Sequence, residues 1–570
     1  MDLFDDTARL WFEFSLVILG WITIAVVPPR NSRITEISGE LGRQIAARPV
    51  LAFWVSFSTP ILLRLLFWPV LRVPPPNVHD EFSFLLLGDT FAHGRMTNPT
   101  HPFWIHLETF HVLQHPTYAS IYPVMQGLFL SFGEVVVRCP WWGVVLSVGL
   151  MCAAIEWALR AWLPPFWALL GALLAALRFG VFGYWMNSYW GGAAAALGGA
   201  LVLGGLPRIF QTAKVRDAFL LALGMAVLAN SRPYEGFFYC IPVAVFLFAW
   251  MFGAELFCRW CGFRSVRYAG RTKVLRVALP LTATLLLAAV FMGSYFWRVT
   301  GDPFTMPRVL EARQFSITPI FIWQKLRHAP HYDDDRLRFF YTQYEPNDSS
   351  EPQRAFSYWA FYLGPAFSLP LLVLPLLMRN QRTRSLLLLT GATVMAVGIE
   401  WWARDHYFAP ATAALLAVAL QGMRYWRCSL RHSRWNRVAA LPALVILIVA
   451  ITEGGLLYAN AAPGPLPDWA LTTRPFNRRF EVERQLQALG GKHLVLVRYT
   501  KRHDREPAIH NEWVYNGADI DSSQIVWARE LDEEHNRKLL QYFSDRQVWL
   551  VNPDEGKLES LPKDSRLVEP

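Results

Sequence analysis

One stretch decides the fold of this chain: residues 51–82, LAFWVSFSTPILLRLLFWPVLRVPPPNVHDEF. It begins with an apolar run of about 20 residues, the length that crosses the hydrocarbon core of a bilayer as a helix. Pro74-Pro75-Pro76 then ends the helical pattern, and the acidic pair Asp80-Glu81 follows closely. The pattern predicts a membrane span that stops at the lipid surface, with two carboxylates opening the loop outside.

The composition of the whole chain also indicates a membrane protein. Of its 570 residues, 53% are hydrophobic and only 17% are charged, which is unusual for a soluble protein of this length. We predict an α-helical polytopic membrane protein with about 12 transmembrane helices. The apolar runs begin near Trp11, Leu51, Trp141, Phe166, Gly191, Asp217, Phe237, Leu279, Trp359, Ser385, Tyr407 and Ala439.

Basic residues indicate the orientation of the membrane part, residues 1–458. Lys and Arg concentrate in alternate loops, and such loops face the cytoplasm. The other set contains the large loops at 74–140 and 298–357 and the short connectors 231–236 and 404–406, which we therefore place on the extracytoplasmic side. The net charge of +10 is an orientation signal rather than a nucleic-acid surface, so no nucleic-acid partner is expected.

The tail at 459–570 changes composition sharply and contains no run that could span a membrane. Segments 493–499, 524–528 and 547–551 are rich in aliphatic and aromatic residues and predict strands. Asp532 precedes an amphipathic pattern and predicts a capped helix. We expect a small soluble α/β domain on the same side as the large loops.

Asp80 and Glu81 are the candidate catalytic residues. A carboxylate at the lipid surface can accept a proton from a hydroxyl group while a leaving group departs from a sugar carbon. The alternative is structural, because acidic residues also favour the first turn of a helix. Neighbouring residues point to different faces of a helix, so the two carboxylates need not share a role.

The loop after the acidic pair is rich in groups that form hydrogen bonds. Its histidines suggest metal binding, but their spacing matches no compact ligand signature, so we favour hydrogen bonding to a polar ligand and expect no metal. Tyr122 precedes an apolar segment and either lines a cavity or anchors the chain at the interface. The loop histidines are His93, His101, His106, His111 and His115.

Three arginines are candidates for binding an anionic headgroup. Arg232 and Arg404 lie in short outer connectors, and Arg178 interrupts an apolar run. A guanidinium can hold a phosphate through two parallel hydrogen bonds. Pairing with a nearby carboxylate such as Glu235, or contact with lipid headgroups, is the alternative.

Taken together, these features resemble the GT-C superfamily of polyprenyl-phosphate-dependent glycosyltransferases. The resemblance is to glycosyltransferase family 39 in particular, which includes protein O-mannosyltransferases and bacterial aminoarabinose transferases. It covers approximately residues 51–458, and the first apolar run lies ahead of it. It is carried by Asp80-Glu81 at the start of the first large loop, the following helix at 84–94, Tyr122-Pro123 before an apolar segment, and His406-Tyr407 with Pro410.

The resemblance implies transfer of a sugar from a polyprenyl-phosphate donor to a lipid, glycan or protein acceptor. Asp80 would activate or orient the acceptor, with Glu81 in support, and the anomeric configuration would invert. The family works without an essential metal, and the sequence holds no nucleotide-binding motif, so no cofactor is expected.

The remaining assignments rest on membrane side and chemistry alone. Arg178, Arg232 and Arg404 would hold the donor phosphate. His115, Tyr122 and His406 would line the sugar or acceptor pocket. We expect a multi-pass protein of a bacterial inner membrane, with the active site and the tail domain extracytoplasmic.

Two functions from other classes remain open on the sequence. A transporter or lipid flippase would also place ionisable groups among membrane spans, although its groups belong near the bilayer midplane and here they gather on one side. An assembly protein whose tail binds a partner is the second alternative.

Overall fold

A computed structural model describes residues 3–27, 33–253, 262, 268–332, 334–343, 351–401, 404–459, 478–500, 503 and 510–561. Most of these residues are helical. The α-helices are α1 Leu3–Val26, α2 Arg33–Ala47, α3 Pro49–Leu66, α4 His79–Ala92, α5 Trp104–Leu107, α6 Val124–Val137, α7 Trp141–Leu159, α8 Pro165–Ala175, α9 Tyr184–Asn187, α10 Gly192–Thr212, α11 Val215–Ala229, α12 Pro233–Met251, α13 Gly270–Lys273, α14 Leu279–Thr300, α15 Pro307–Gln314, α16 Asp335–Gln343, α17 Glu351–Tyr362, α18 Gly364–Leu371, α19 Leu374–Leu377, α20 Gln381–Ile399, α21 Thr412–Ser429, α22 Leu441–Ala459, α23 Arg478–Leu489 and α24 Glu533–Tyr542. Ala176–Val181 and Val274–Ala278 are π-helical, and Asp405–Ala411 and Arg434–Ala440 are 3-10 helices.

The membrane part is a multi-pass helical bundle, as predicted. Within the described residues, seven helices are long and apolar enough to cross a membrane, fewer than the twelve expected. The other five apolar runs also form helices there (α8, α11, α18, α20 and α21), but these are shorter or more polar. The seven are Ala8–Val26, Pro49–Leu66, Trp141–Leu159, Gly192–Thr212, Pro233–Met251, Gly270–Thr300 and Arg434–Ala459.

Small residues in α10 let its neighbours approach closely. This helix packs against α7 and α11 and against the 3-10 helix Asp405–Ala411. A side chain at Gly199 would collide with the carbonyl of Pro410, so the 3-10 helix touches the backbone of α10 directly. This contact fixes the position of the connector that carries His406.

Buried ion pairs attach α1 to the bundle. The Glu13 carboxylate lies 2.8 Å from the Arg178 guanidinium, and both side chains are almost fully buried. Arg178 also donates to the backbone carbonyls of Ala360 and Phe361. The predicted role of Arg178 in phosphate binding is therefore not supported, because protein acceptors already engage its donors in the interior of the bundle.

The tail forms the predicted α/β domain. Its sheet has the order β4-β3-β5-β6, in which β3 pairs in parallel with β4 and β5, and β6 is antiparallel to β5. Asp532 accepts a hydrogen bond from the backbone N–H of His535 and caps α24, as predicted. The four strands are β3 His493–Val497, β4 Ile525–Arg529, β5 Gln547–Asn552 and β6 Lys557–Leu561.

This domain packs on the first large loop through hydrogen bonds between polar groups. These groups would cost free energy if they were buried without a partner. The Tyr118 hydroxyl donates to the carbonyl of Asn516 at 2.7 Å, and Asp89 accepts from the backbone N–H of Ala518 at 2.6 Å. His106 lies 2.8 Å from the carbonyl of Arg529. The loop and the tail domain therefore form one continuous structure above the bundle.

The ion pair between Glu13 and Arg178 gives the first prediction. Glu13→Gln removes the charge of Glu13 and leaves the buried guanidinium of Arg178 without its counter-ion, which should lower the free energy of unfolding by about 3–5 kcal/mol. The matched control is Glu40→Gln, whose pair with Arg43 is exposed and should change stability little. Unfolding measured in bicelles tests this, and equal stability of the two variants would contradict it.

Candidate active site

A buried arginine fixes the chain where it leaves the span α3. The Arg64 guanidinium donates to the carbonyl of Arg72 at 2.7 Å, to the side chain of Asn187 at 3.2 Å and to the carbonyl of Leu71. These bonds satisfy the backbone of the turn after α3 and hold the proline segment against the bundle. The following helix α4 therefore starts at a defined place.

Glu81 stabilises the start of α4. Its carboxylate accepts from the backbone N–H groups of Asn77 at 2.9 Å, Val78 at 3.3 Å and Tyr189 at 3.2 Å. Burial raises the pKa of Glu81, and these hydrogen bonds oppose the rise. The contacts match the structural alternative for Glu81, while Asp80 turns to a different side of the helix.

Asp80 lies at the centre of a polar cluster. One carboxylate oxygen accepts a hydrogen bond from the Tyr122 hydroxyl, and the other lies 3.2 Å from Nδ1 of His79. Burial by itself would raise the pKa of Asp80, but His79, His111, the Tyr122 hydroxyl and Arg404 together hold it well below its usual range. Asp80 is therefore ionised at neutral pH and accepts hydrogen bonds.

A short hairpin brings His111 to Asp80. The hairpin pairs β1 Val112–Leu113 with β2 Ala119–Ser120, directly after His111. The Ser83 hydroxyl donates to the carbonyl of His111 at 2.6 Å, and the backbone of His111 adopts a φ of +59°. A non-glycine residue in the left-handed region costs free energy, and such strain concentrates at functional sites. The His111 ring centre lies 4.7 Å from that of His79.

Helix α15 in the second large loop adds Arg308 and Glu311 to the cluster. The Glu311 carboxylate contacts His111 Nδ1 at 3.0 Å, Arg308 at 3.0 Å and the Tyr341 hydroxyl at 2.7 Å. Burial alone would raise the pKa of Glu311, but these partners lower it to about 2. Only 1% of the Glu311 side chain is exposed, whereas 44% of the Arg308 side chain is exposed.

A further side of the cluster comes from the two short connectors at 231–236 and 404–406. The Arg232 guanidinium lies 4.1 Å from the ring centre of Tyr407. Burial lowers the pKa of the neighbouring His406, Arg232 and Arg404 lower it further, and Asp80 opposes them. Arg404 and His406 therefore lie within the electrostatic range of Asp80, and Arg232 lies within that of His406.

The tail domain also reaches this cluster. Nδ1 of His510 lies 3.0 Å from Nε2 of His79, and Asn511 forms a backbone bridge with Val78. The ring nitrogen of His79 that points away from Asp80 is thus bound by a residue 431 positions away in the chain.

His115 is not part of the cluster. It is exposed, and its ring packs on Trp104 with ring centres 4.7 Å apart. The imidazole beside Asp80 is that of His111, four residues earlier. The assignment of His115 to the sugar or acceptor pocket therefore receives no support from the cluster around Asp80.

The sequence-based assignment did not include His79 and His111 among the site residues, and it did not consider Arg308, Glu311 or His510. Arg308 and Glu311 are spaced by three in a polar helix, a pattern that usually marks an exposed surface. His510 lies in the tail, where the sequence offers no catalytic motif. Only tertiary contacts bring the three to Asp80.

The arrangement combines an accessible carboxylate with several guanidinium groups. Asp80 keeps 29% of its side chain exposed, whereas His79 keeps 5%. A ligand entering the cluster would thus meet Asp80 and Arg308 first. Such a site can accept a proton from a hydroxyl group and bind an anion at the same time.

Glu311 gives a pH-dependent prediction. Its pKa in the folded state is about 2, against an ordinary value of 4.5. The Glu311 carboxylate therefore contributes roughly 3 kcal/mol to the free energy of unfolding. This contribution is complete above pH 4.5 and is lost as the pH falls towards 2. The unfolding free energy of wild type minus that of Glu311→Gln should shrink over this range. Asp335→Asn, which removes an exposed carboxylate on α16, should show no such change.

No family model matches the sequence, and no curated protein matches it. Among solved structures, ArnT from Cupriavidus metallidurans in the apo state has a TM-score of 0.46 at 15% identity, covering 87% of this chain and 92% of that one. The apo oligosaccharyltransferase of Archaeoglobus fulgidus has a TM-score of 0.41 at 11% identity, covering 88% and 69%. Similarity of this extent assigns neither site residues nor a substrate to this chain.

Proposed function

We propose that this chain is a membrane glycosyltransferase that transfers a sugar from a polyprenyl-phosphate donor to an acceptor hydroxyl or amine on the extracytoplasmic side. The observation that carries the proposal is one cluster that combines the ionised, partly accessible carboxylate of Asp80 with the accessible guanidinium of Arg308, which contacts His111 and Glu311. Sugar transfer from a lipid phosphate needs a group that orients the acceptor and cations that receive the departing phosphate.

Asp80 binds the acceptor in this proposal. The Tyr122 hydroxyl occupies one of its carboxylate oxygens, and further lone pairs of the carboxylate remain for an acceptor O–H or N–H. The low pKa of Asp80 makes it a weak base, so it orients the acceptor first. It takes the proton only as the acceptor oxygen or nitrogen bonds to the anomeric carbon and becomes acidic.

Arg308, Arg232 and Arg404 bind the donor phosphate. Arg308 is accessible, and the other two come from connectors at the same side of the bundle. A guanidinium stays charged at every relevant pH and can offer two parallel hydrogen bonds to phosphate oxygens. His406 and Tyr407 lie beside Arg232 and would line the sugar pocket.

The proposed step is a direct displacement. The acceptor atom bonds to the anomeric carbon while the bond between that carbon and the phosphate oxygen breaks. The electron pair of the broken bond leaves on the lipid phosphate, and the acceptor proton passes to Asp80. Attack from the face opposite the leaving group inverts the anomeric configuration.

The position of the site fits a lipid-linked donor. The cluster lies just beyond the end of α3, so a polyprenyl chain could remain in the bilayer while its phosphate reaches the arginines. The positive-inside pattern places this end of the bundle, and the tail domain above it, outside the cytoplasm of a bacterial inner membrane. The acceptor would be a lipid, a glycan or a protein.

Asp80→Asn should abolish most transfer. The variant keeps a hydrogen-bond acceptor for Tyr122 but cannot take the proton, so the turnover of the folded enzyme should fall about 10²–10⁴-fold. The measurement is transfer from a radiolabelled polyprenyl-phosphate sugar pool into proteoliposomes, with Asp335→Asn as the control carboxylate. Equal turnover of Asp80→Asn and wild type would remove Asp80 from the mechanism. Failure of the wild type with a broad donor panel would favour a transporter.

Arg308→Gln should weaken donor binding. Loss of a charge-assisted hydrogen bond worth about 1.5–3 kcal/mol corresponds to a KM for the donor raised roughly 10–150-fold. Arg308→Lys keeps the charge without the planar fork and should be intermediate. Arg313→Gln, at an exposed position of the same helix, serves as the control. An unchanged donor KM in Arg308→Gln would show that Arg308 does not contact the phosphate.

A further inference from the structure

We infer that His79, Asp80 and His111 form a binding site for a divalent transition-metal cation of the zinc class. Each offers one ligand atom, and these atoms all lie within 4.8 Å of one another. A tetrahedral zinc ion bound at about 2.0–2.2 Å from each ligand atom needs only a small further approach of the three side chains. The inference departs from the sequence-based expectation of a site without a metal.

The orientation of His79 suits coordination of a cation. Among the described residues, its buried Nδ1 has no hydrogen-bond partner, although it lies 3.2 Å from the Asp80 carboxylate. Its Nε2 is in hydrogen-bond contact with His510 on the opposite side of the ring. In the tautomer whose Nε2–H donates to His510, the lone pair of Nδ1 faces the carboxylate, and a cation between the two would bind to both.

Both imidazoles carry the outer partners that metal-bound histidines usually have. Nδ1 of His111 contacts the Glu311 carboxylate at 3.0 Å, which leaves Nε2 of His111 as its ligand atom. Glu311 is held in turn by Arg308 and Tyr341, and His510 holds His79. Such partners fix the orientation of the ring and the nitrogen that faces the metal.

The donor set selects the kind of ion. Two imidazole nitrogens and one carboxylate oxygen suit zinc and neighbouring transition metals, whereas magnesium and calcium prefer ligand sets made entirely of oxygen. Three protein ligands leave a fourth position open. An oxygen of the acceptor or of the donor phosphate would fill it. That last role rests on the proposed function, but binding of the cation does not.

The test uses the full-length chain in nanodiscs, with any affinity tag removed and metals stripped by a chelator. Titration with Zn²⁺, and with Co²⁺ followed by its visible absorption, should give one ion per chain. His79→Ala and His111→Ala should weaken binding at least 100-fold, and Glu311→Gln about 10–100-fold. His115→Ala, in the same loop but outside the cluster, should bind like wild type. Absence of stoichiometric binding by the wild type, or unchanged binding by His111→Ala, would overturn the inference.

X-ray absorption of zinc in the wild-type protein keeps the inference testable if the alanine variants fail to fold. Two imidazoles and a carboxylate in the coordination shell would support it, and a shell of oxygen alone would overturn it.

The results for metal binding and for sugar transfer can be told apart. A wild type that binds zinc but transfers no sugar would refute the proposed function and keep the site. Transfer by a wild type that binds no metal would refute the site alone.

Discussion

The cost of burying charge away from water is the constraint on which this structure depends. Glu13 and Arg178 pair inside the bundle and attach α1 to it. Outside the bundle, Arg336 of the second large loop pairs with Glu512 of the tail domain at 3.3 Å, with both side chains buried. An ion buried without its partner costs several kcal/mol, so these pairs bring distant segments of the chain together. The position of the candidate site follows from those segments.

The ion pairs differ in how much of each side chain is exposed to solvent, and this difference separates structural charges from candidate functional ones. Arg178 and Glu13 are closed on all sides by the bundle. Arg308 meets a sealed carboxylate, Glu311, yet keeps nearly half of its own side chain accessible. A guanidinium that is anchored at one side and open at the other is pre-organised to bind an anion with little loss of side-chain entropy. The negatively charged Asp80 is likewise held by one neighbour, the Tyr122 hydroxyl, and partly accessible to a ligand.

The sequence predicted those parts of the molecule that depend on local pattern. Apolar runs predicted the multi-pass bundle, and segments rich in aliphatic and aromatic residues predicted the strands of the tail domain. The Asp80 carboxylate and Tyr122 were both chosen from the sequence, and they are in contact. The number of helices of spanning length was overestimated, because runs such as the one in α20 carry basic residues near their ends.

Parts that depend on long-range contacts were not predictable from one sequence. His111 was one of five loop histidines, and only the hairpin after it and the bond from Ser83 place it beside Asp80. Glu311 lies 200 positions from His111, and His510 lies 431 positions from His79. No spacing rule reaches across such distances. A ligand set assembled in this way also escapes the compact signatures by which metal sites are found in sequences.

A metal at Asp80 and a proton acceptor at Asp80 are compatible because the two carboxylate oxygens have different neighbours. One oxygen faces His79, where a cation would bind, and the other accepts from Tyr122 and has a further lone pair for an acceptor. A bound cation would make Asp80 an even weaker base. The proton then moves only after the new bond to the anomeric carbon has begun to form, so departure of the phosphate towards the arginines must lead the reaction. In that order of events, the guanidinium groups stabilise the departing phosphate, while Asp80 holds the acceptor atom in place to attack and takes its proton.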